Sequence, residues 1–377
     1  MLRKLIASNS ISSVMPAVDQ GNREVIELLA VWLADMGFSV EIMPLPDPRK
    51  ANLIATLGTG PGGLVLSGHT DTVPCDDNLW RQDPFALTEK DGRFYGLGTS
   101  DMKGFFALAI EAAREFIDRP LQQPLIILAT ADEESSMSGA KALAEAGRPR
   151  ARYAVVGEPT GLKPITSHKG ILVESLVIEG RSGHSSDPGL GSNAMHSMHR
   201  VLTELLAFQA ELKARYRDPL FAVDHPTLNL GCIHGGDNPN RICGRCELGF
   251  EIRPLPGMDI HELHEQLAAR LQSLGVEEGT AMSLDYYGVP AFATRGNTDL
   301  AAICERLTGH GSEAVAFATE APYLQDLGMD VVVLGPGDIA QAHQPDEYLA
   351  LDRIPPMVET LKQLIGHCCL TPSATGS

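Results

Sequence analysis

Four aliphatic runs in this chain each end in residues that can exchange protons or bind cations. Leu64–Ser67 leads into Gly68-His69-Thr70-Asp71, and Leu125–Ala129 leads into Thr130-Ala131-Asp132-Glu133-Glu134. Tyr153–Gly157 leads into Glu158, and Val331–Leu334 leads through a glycine loop into His343. A fifth polar group, Thr99-Ser100-Asp101, stands before a helical stretch. Together, His69, His343, Asp101, Glu158 and one of the pair Glu133-Glu134 form a nitrogen and oxygen ligand set. Such a set suits Zn²⁺, and Co²⁺ or Mn²⁺ as well, and it offers no thiolate. Five protein ligands exceed what one catalytic zinc takes, because that ion keeps a position open for water. Two ions sharing a bridging carboxylate, about 3.5–4 Å apart, fit the count.

The neighbours of these residues suggest further roles. Residues two apart in an extended segment share a face, so Asp71 can reach the ring of His69. A metal-bound imidazole commonly gives its other N–H to a carboxylate, which fixes its tautomer. Adjacent residues diverge, so one of Glu133 and Glu134 can bind metal while the other faces the water as general base. Each feature alone also has a plain structural reading. His69-Thr70-Asp71 could be a surface pair, the two glutamates a solvated face, and Asp101 a helix N-cap. Their shared place at strand ends weighs against this, since open α/β sheets bind ligands beyond the carboxyl ends of their strands.

The elements that must position them follow from periodicity. At 377 residues the chain exceeds the size at which one core keeps growing, so two domains are expected. In the first part, a helix over 22–36 stopping at Gly37 is followed by β-rich runs at 39–42, 52–57 and 64–67. A helix at 104–117 and buried strands at 125–129, 153–157 and 331–334 complete an α/β pattern with helices on both faces of a sheet. The middle reads as β-α-β-β-α-β: strand 171–179, helix 193–216, strands 227–233 and 246–253, helix 259–274 capped by Asp259, and strand 282–287. That order is a split βαβ unit. The expectation is a discontinuous catalytic domain, 1–172 and 289–377, interrupted by an inserted domain, 173–288. Thr371–Ser377 reads as a frayed polar tail.

Composition narrows the partners. Thirty basic against 48 acidic side chains give a net charge of −18, which argues against nucleic acid or an anionic membrane surface. No apolar run approaches the ~20 residues of a membrane span. The N-terminal MLRKLIASNSIS lacks a signal-peptide core, so the cytoplasm is the expected compartment. Seven cysteines, an odd number, read as reduced thiols, and Cys243-Gly-Arg-Cys246 has no second pair at zinc-finger spacing.

The segments SGHTDTVP, GLGTSDMKG, ATADEESS, GEPT and AHQPDEY resemble those of the di-zinc aminoacylase and carboxypeptidase family of zinc exopeptidases, and the likeness covers nearly the whole chain. The resemblance implies a phosphorylase/hydrolase-like α/β catalytic domain with an inserted ferredoxin-like α+β lid and dimerisation domain. It assigns His69, Asp101 and Glu158 to one zinc and Glu134, Asp101 and His343 to the other, with a cis peptide after Asp101. It makes Glu133 the general base and Asp71 the orienter of His69. By the same likeness His184 reaches from the partner of a homodimer to the tetrahedral intermediate, while Asn240 and Arg253 bind the substrate α-carboxylate. The implied reaction is hydrolysis of a small N-acyl amino acid, with N²-acetyl-L-ornithine as the expected substrate and arginine biosynthesis as the setting. N-acetyl-citrulline and N-succinyl-diaminopimelate are the alternatives within the class. Glu320 is expected to choose among them by meeting the δ-ammonium of ornithine. An aminopeptidase, or a metal-binding protein of the same fold without catalysis, is the reading from a different class.

Overall fold

The computed structural model describes residues 1–275, 277–294 and 299–370, so the tail Thr371–Ser377 lies outside the described residues. The chain divides into two compact units. Unit 1 comprises Met1–Thr166, Thr294–Glu313 and Thr319–Ser377, and unit 2 comprises Ser167–Ala293 and Ala314–Ala318.

Unit 1 is organised by four adjacent parallel strands in the order Leu125–Thr130, Leu64–His69, Tyr153–Val156, Asp330–Val333. Their sequences are continuous aliphatic runs, and nearly every residue is buried. Burial on both faces is what a parallel strand covered by helices requires, and it explains why these strands show no alternation. Register aligns their starts, with Leu64 opposite both Leu125 and Tyr153, and Tyr153 opposite Asp330. All four therefore end along one edge, where the polar clusters begin. Two antiparallel strands, Ser39–Pro44 and Ala51–Leu57, extend the sheet beyond Leu125–Thr130. On the other side Ile165–His168 joins Asp330–Val333 antiparallel and carries the chain into unit 2. Helix Arg23–Asp35 ends before Gly37, whose φ of +85° is left-handed and suits a glycine after a helix. Helix Lys103–Ala113 packs against helix Ile354–Leu370 and the strand Leu64–His69.

Unit 2 is a four-stranded antiparallel sheet in the order Thr227–Gly235, Arg245–Arg253, Ile171–Glu179, Ala281–Val289. Leu172, Glu174, Leu176 and Ile178 are buried while Ser175 and Glu179 are exposed, the alternation of a half-covered sheet. Helices Ala194–Arg215 and Ile260–Ser273 cover the buried face. Asn193 caps the first through Met195 N, and Asp259 caps the second through the amides of His261 and Glu262. The strand order and the βαββαβ sequence are ferredoxin-like.

Several helices were not read from the sequence: Leu2–Ala7, Ser138–Ala146, Asp299–Thr308 and Ile354–Leu370. The last opens Ile354-Pro355-Pro356, where paired prolines look like a break. The first turn of a helix tolerates them because its amides have no partner within the helix.

Candidate metal centre

His69 ends its buried strand with the ring 1% exposed. Its Nε2 lies 3.0 Å from Asp101 Oδ1 and 3.8 Å from Glu158 Oε2. His343 Nε2 lies 3.7 Å from the other oxygen of Asp101, Oδ2, and 3.0 Å from Glu134 Oε2. Asp101 thus presents one oxygen to each histidine, and each histidine has a second carboxylate of its own. Potential ligand atoms of His69, Asp101 and Glu134 lie within 4.8 Å of one another, as do those of His69, Glu133 and Glu158. The helix after Asp101 has Met102 as its N-cap and no side-chain cap. The aspartate is therefore not the helix cap that its position suggested. The Asp101–Met102 peptide is cis.

The role expected of the Asp71 carboxylate is taken by its main chain. His69 Nδ1 is 3.0 Å from the Asp71 carbonyl oxygen and 3.7 Å from Asp71 Oδ1. The carbonyl accepts the Nδ1 proton and leaves Nε2 facing Asp101. The carboxylate is drawn elsewhere: its Oδ2 accepts from Glu134 N at 3.0 Å and ties the His69 segment to the glutamate segment.

The electrostatics of the cluster are unbalanced. Burial, and then the charge of Glu158, push the Glu133 carboxyl well above its ordinary range. Burial also raises Glu158, with Asp101 adding to it against the attraction of His69, and lifts Asp71 to about 7. Burial opposes charge on His69, but Glu158 and the hydrogen bond to Asp101 outweigh it and hold that ring well above its usual value. The hydrogen bond to Glu134 takes His343 to about 9. These shifts share one cause, an excess of carboxylates in a space shielded from water. Glu158 Oε1 and Asp71 Oδ1 are buried with no hydrogen-bond partner among the described residues. A divalent cation would supply the missing charge, and the nitrogen and oxygen donors fit one.

Glu320, expected to meet the substrate side chain, is enclosed by its neighbours. Its carboxylate is 1% exposed, and its two oxygens accept from Ser67 Oγ and from Thr130 Oγ1 on neighbouring strands, the latter at 2.7 Å. Burial raises its pKa against those two hydrogen bonds. Enclosed and occupied in this way, it has no oxygen turned outward to meet an ornithine ammonium.

The remaining expected residues lie in unit 2. His184 is exposed, and Ser186 N donates to its Nδ1 at 3.2 Å, so the neutral ring carries its proton on Nε2. Asn240 is exposed, and its carbonyl accepts from Ser185 N, which holds it beside the His184 segment. Arg253 is half-buried and forms a two-pronged pair with Glu251, Nε to Oε1 at 2.7 Å and Nη2 to Oε2 at 3.0 Å. Cys243 and Cys246 are buried free thiols, consistent with a structural role.

A set of positioning residues escaped the sequence reading. Asp132 adopts a left-handed φ of +61°, a conformation aspartate tolerates better than most residues. Its carboxylate accepts from Lys50 Nζ (2.6 Å), Ser12 Oγ (2.9 Å) and Ser138 Oγ (2.6 Å), and its carbonyl accepts from Met137 N (2.7 Å). This network shapes the turn that carries Glu133 and Glu134. The only signal was the third acid of Asp132-Glu133-Glu134, and nothing local points to Lys50.

Four adjacent parallel strands with two histidines and a group of carboxylates beyond their carboxyl ends make a candidate metal site of the kind that a metal-dependent hydrolase uses. The chain belongs to the peptidase family M20/M25/M40, whose model matches residues 65–367. It is 48% identical over 377 residues to the acetylornithine deacetylase of Proteus mirabilis, covering 99% of this chain and 97% of that one. Among solved structures it resembles a metallo-carboxypeptidase of the M20 family from Sulfolobus solfataricus, with a TM-score of 0.79, 19% identity and 97% of each chain covered. A dinuclear metal-binding peptidase of the M20 family from Bacillus subtilis aligns with a TM-score of 0.68 and 16% identity, over 97% of this chain and 95% of that one. At these identities the structural likenesses speak for the fold.

Proposed function

We propose that this enzyme hydrolyses N²-acetyl-L-ornithine to acetate and L-ornithine, a step of arginine biosynthesis. The observation that carries the metal-dependent chemistry is the division of the Asp101 carboxylate between His69 and His343, each with its own further carboxylate. The full-length likeness to a deacetylase of that name supports the substrate. We assign one Zn²⁺ to His69, Asp101 and Glu158 and a second to Glu134, Asp101 and His343, with Co²⁺ or Mn²⁺ able to replace them. Metals so held would polarise the acyl oxygen and acidify a bound water.

The protein's own groups supply the rest. Glu133 takes the proton of the attacking water and gives it to the departing amine, a role helped by burial, which raises its carboxyl above the ordinary range and so strengthens its hold on a proton. Asp71 holds the His69 ring through its carbonyl and the Glu134 amide through its carboxylate. His184, reaching from the other copy of a homodimer, donates Nε2–H to the developing oxyanion, and Asn240 and Arg253 take the substrate α-carboxylate. Arg253 exchanges its pair with Glu251 for the one with substrate.

Unit 1 is proposed as the catalytic domain, and unit 2 as an inserted lid through which a homodimer forms. Among the described residues no helix is long and apolar enough to cross a membrane; the cytoplasm is the proposed location. The deciding experiment assays protein reconstituted with Zn²⁺ or Co²⁺ against acetyl-, formyl- and succinyl-amino acids and dipeptides. Preference for N²-acetyl-L-ornithine is the expected result. Preference for a dipeptide or a succinylated substrate would replace the proposed one.

A further inference from the structure

We propose that Glu347 is a positioning residue that sets the bridging aspartate of the metal centre by holding the backbone that carries it. Glu347 follows His343 by four residues and is 1% exposed. One oxygen, Oε1, accepts from Ser100 N at 2.7 Å and from Asp101 N at 3.0 Å, and Oε2 accepts from Gly98 N at 3.0 Å. Three main-chain amides of the segment ending in Asp101 thus converge on one carboxylate. The main chain reinforces the clamp, since Gly96 N donates to the Glu347 carbonyl at 3.0 Å and Tyr348 pairs with Tyr95.

The segment is shaped to be held in this way. Gly98 has a φ of +85°, and a Cβ there would lie 2.6 Å from Lys103 Cε, so only glycine turns the chain to offer its amide. Ser100 Oγ in turn accepts from Asp338 N at 3.0 Å, tying the same segment to the glycine loop before His343. A buried carboxylate that took protein amides anywhere would be structural alone. Here one of the amides belongs to Asp101 itself, and the carboxylate stands on the His343 segment. The clamp therefore couples the position of the shared ligand to that of the histidine facing its Oδ2. Residues that orient a ligand without touching the metal tune affinity and geometry.

This inference rests on the proposed metal centre, and its test separates the two. The visible absorption spectrum of Co²⁺-loaded protein reports ligand geometry, so wild type and Glu347→Gln are compared after reconstitution. The glutamine keeps the shape but turns an NH₂ toward an amide that needs an acceptor. The expected result is a changed Co²⁺ spectrum with affinity lowered by about 10–100-fold. A spectrum superimposable on wild type overturns the inference, whatever the melting temperature, because a carboxylate serving stability alone leaves the loaded site as it was. Glu347→Asp, read in the same way, decides the matter if the glutamine variant does not fold. Wild-type protein that takes up no Co²⁺ sinks both readings, whereas a wild-type spectrum in the variant sinks only this one.

Discussion

A lone buried acid in unit 2 and a group of acids in unit 1 show opposite solutions to the same problem. Glu174 in unit 2 is fully buried on the sheet, and both its oxygens lie within 3.2 Å of His264 Nδ1, whose ring stacks on Tyr286. Its surroundings answer it with a partner of the opposite kind, and it contributes to the core. At the edge of unit 1, Asp101, Glu133, Glu134 and Glu158 share two imidazoles, and Glu158 Oε1 is left without a partner. A buried carboxylate with a partner is a structural element, and a group of them in excess is a request for a cation.

Removing the cations tests that contrast most severely. Prolonged dialysis against a chelator is expected to abolish hydrolysis and lower the melting temperature, and added Zn²⁺ or Co²⁺ restores both, because a ligand that binds only the folded state stabilises it. Full activity after complete demetallation, checked by elemental analysis, would mean that the acid excess serves something else. Next in size is Glu133→Gln, expected to lower kcat by about 10²–10⁴-fold while metal content stays at the wild-type level. Ordinary turnover in that variant removes Glu133 from the chemistry.

A positioning pair should show its effect in stability first. Lys50 Nζ bridges Asp132 and Asp19 at 2.6 and 2.8 Å in a buried setting. Lys50→Met leaves buried Asp132 without its cation, whereas Asp19 keeps Arg49 at 3.0 Å, and a loss of about 3–5 kcal/mol is expected in denaturant unfolding. An unchanged unfolding midpoint would show that this turn is held by its hydroxyls instead.

The smallest effect concerns the paired acid. Burial, against the hydrogen bond from His264, raises Glu174 to about 7 from its ordinary value of 4.5. A raised acid stabilises fully below the unfolded value, and that contribution is lost as pH rises through the folded one. Wild type should therefore lose stability across this interval, and Glu174→Gln should flatten the loss. Parallel melting curves from roughly pH 5 to pH 8 would show that His264 already compensates the charge. Glu320→Gln sharpens the same lesson. Because Ser67 and Thr130 enclose that carboxylate, the variant should keep the wild-type choice between ornithine and citrulline derivatives, whereas a changed preference in competition assays would reopen its role.

Much of this architecture was legible without coordinates. Continuous aliphatic runs announced the buried parallel strands, and the β-α-β-β-α-β order of the middle region announced its split βαβ unit, because buried faces leave their period in the sequence. Strand Ile171–Glu179 fell where its pattern placed it, and the cap Asp259 is short-range chemistry. The kinds of residue at the strand ends likewise indicated a cation site. The partners of those residues were decided only by tertiary structure. His69 meets Asp101 across 32 positions and Glu134 meets His343 across 209, distances spanned by strand order. The same packing gave the Asp71 carbonyl, rather than its carboxylate, to His69 and closed Glu320 beneath two hydroxyls. Local sequence sets period and donor type, but which oxygen of a carboxylate faces which ring depends on how distant strands come to lie side by side.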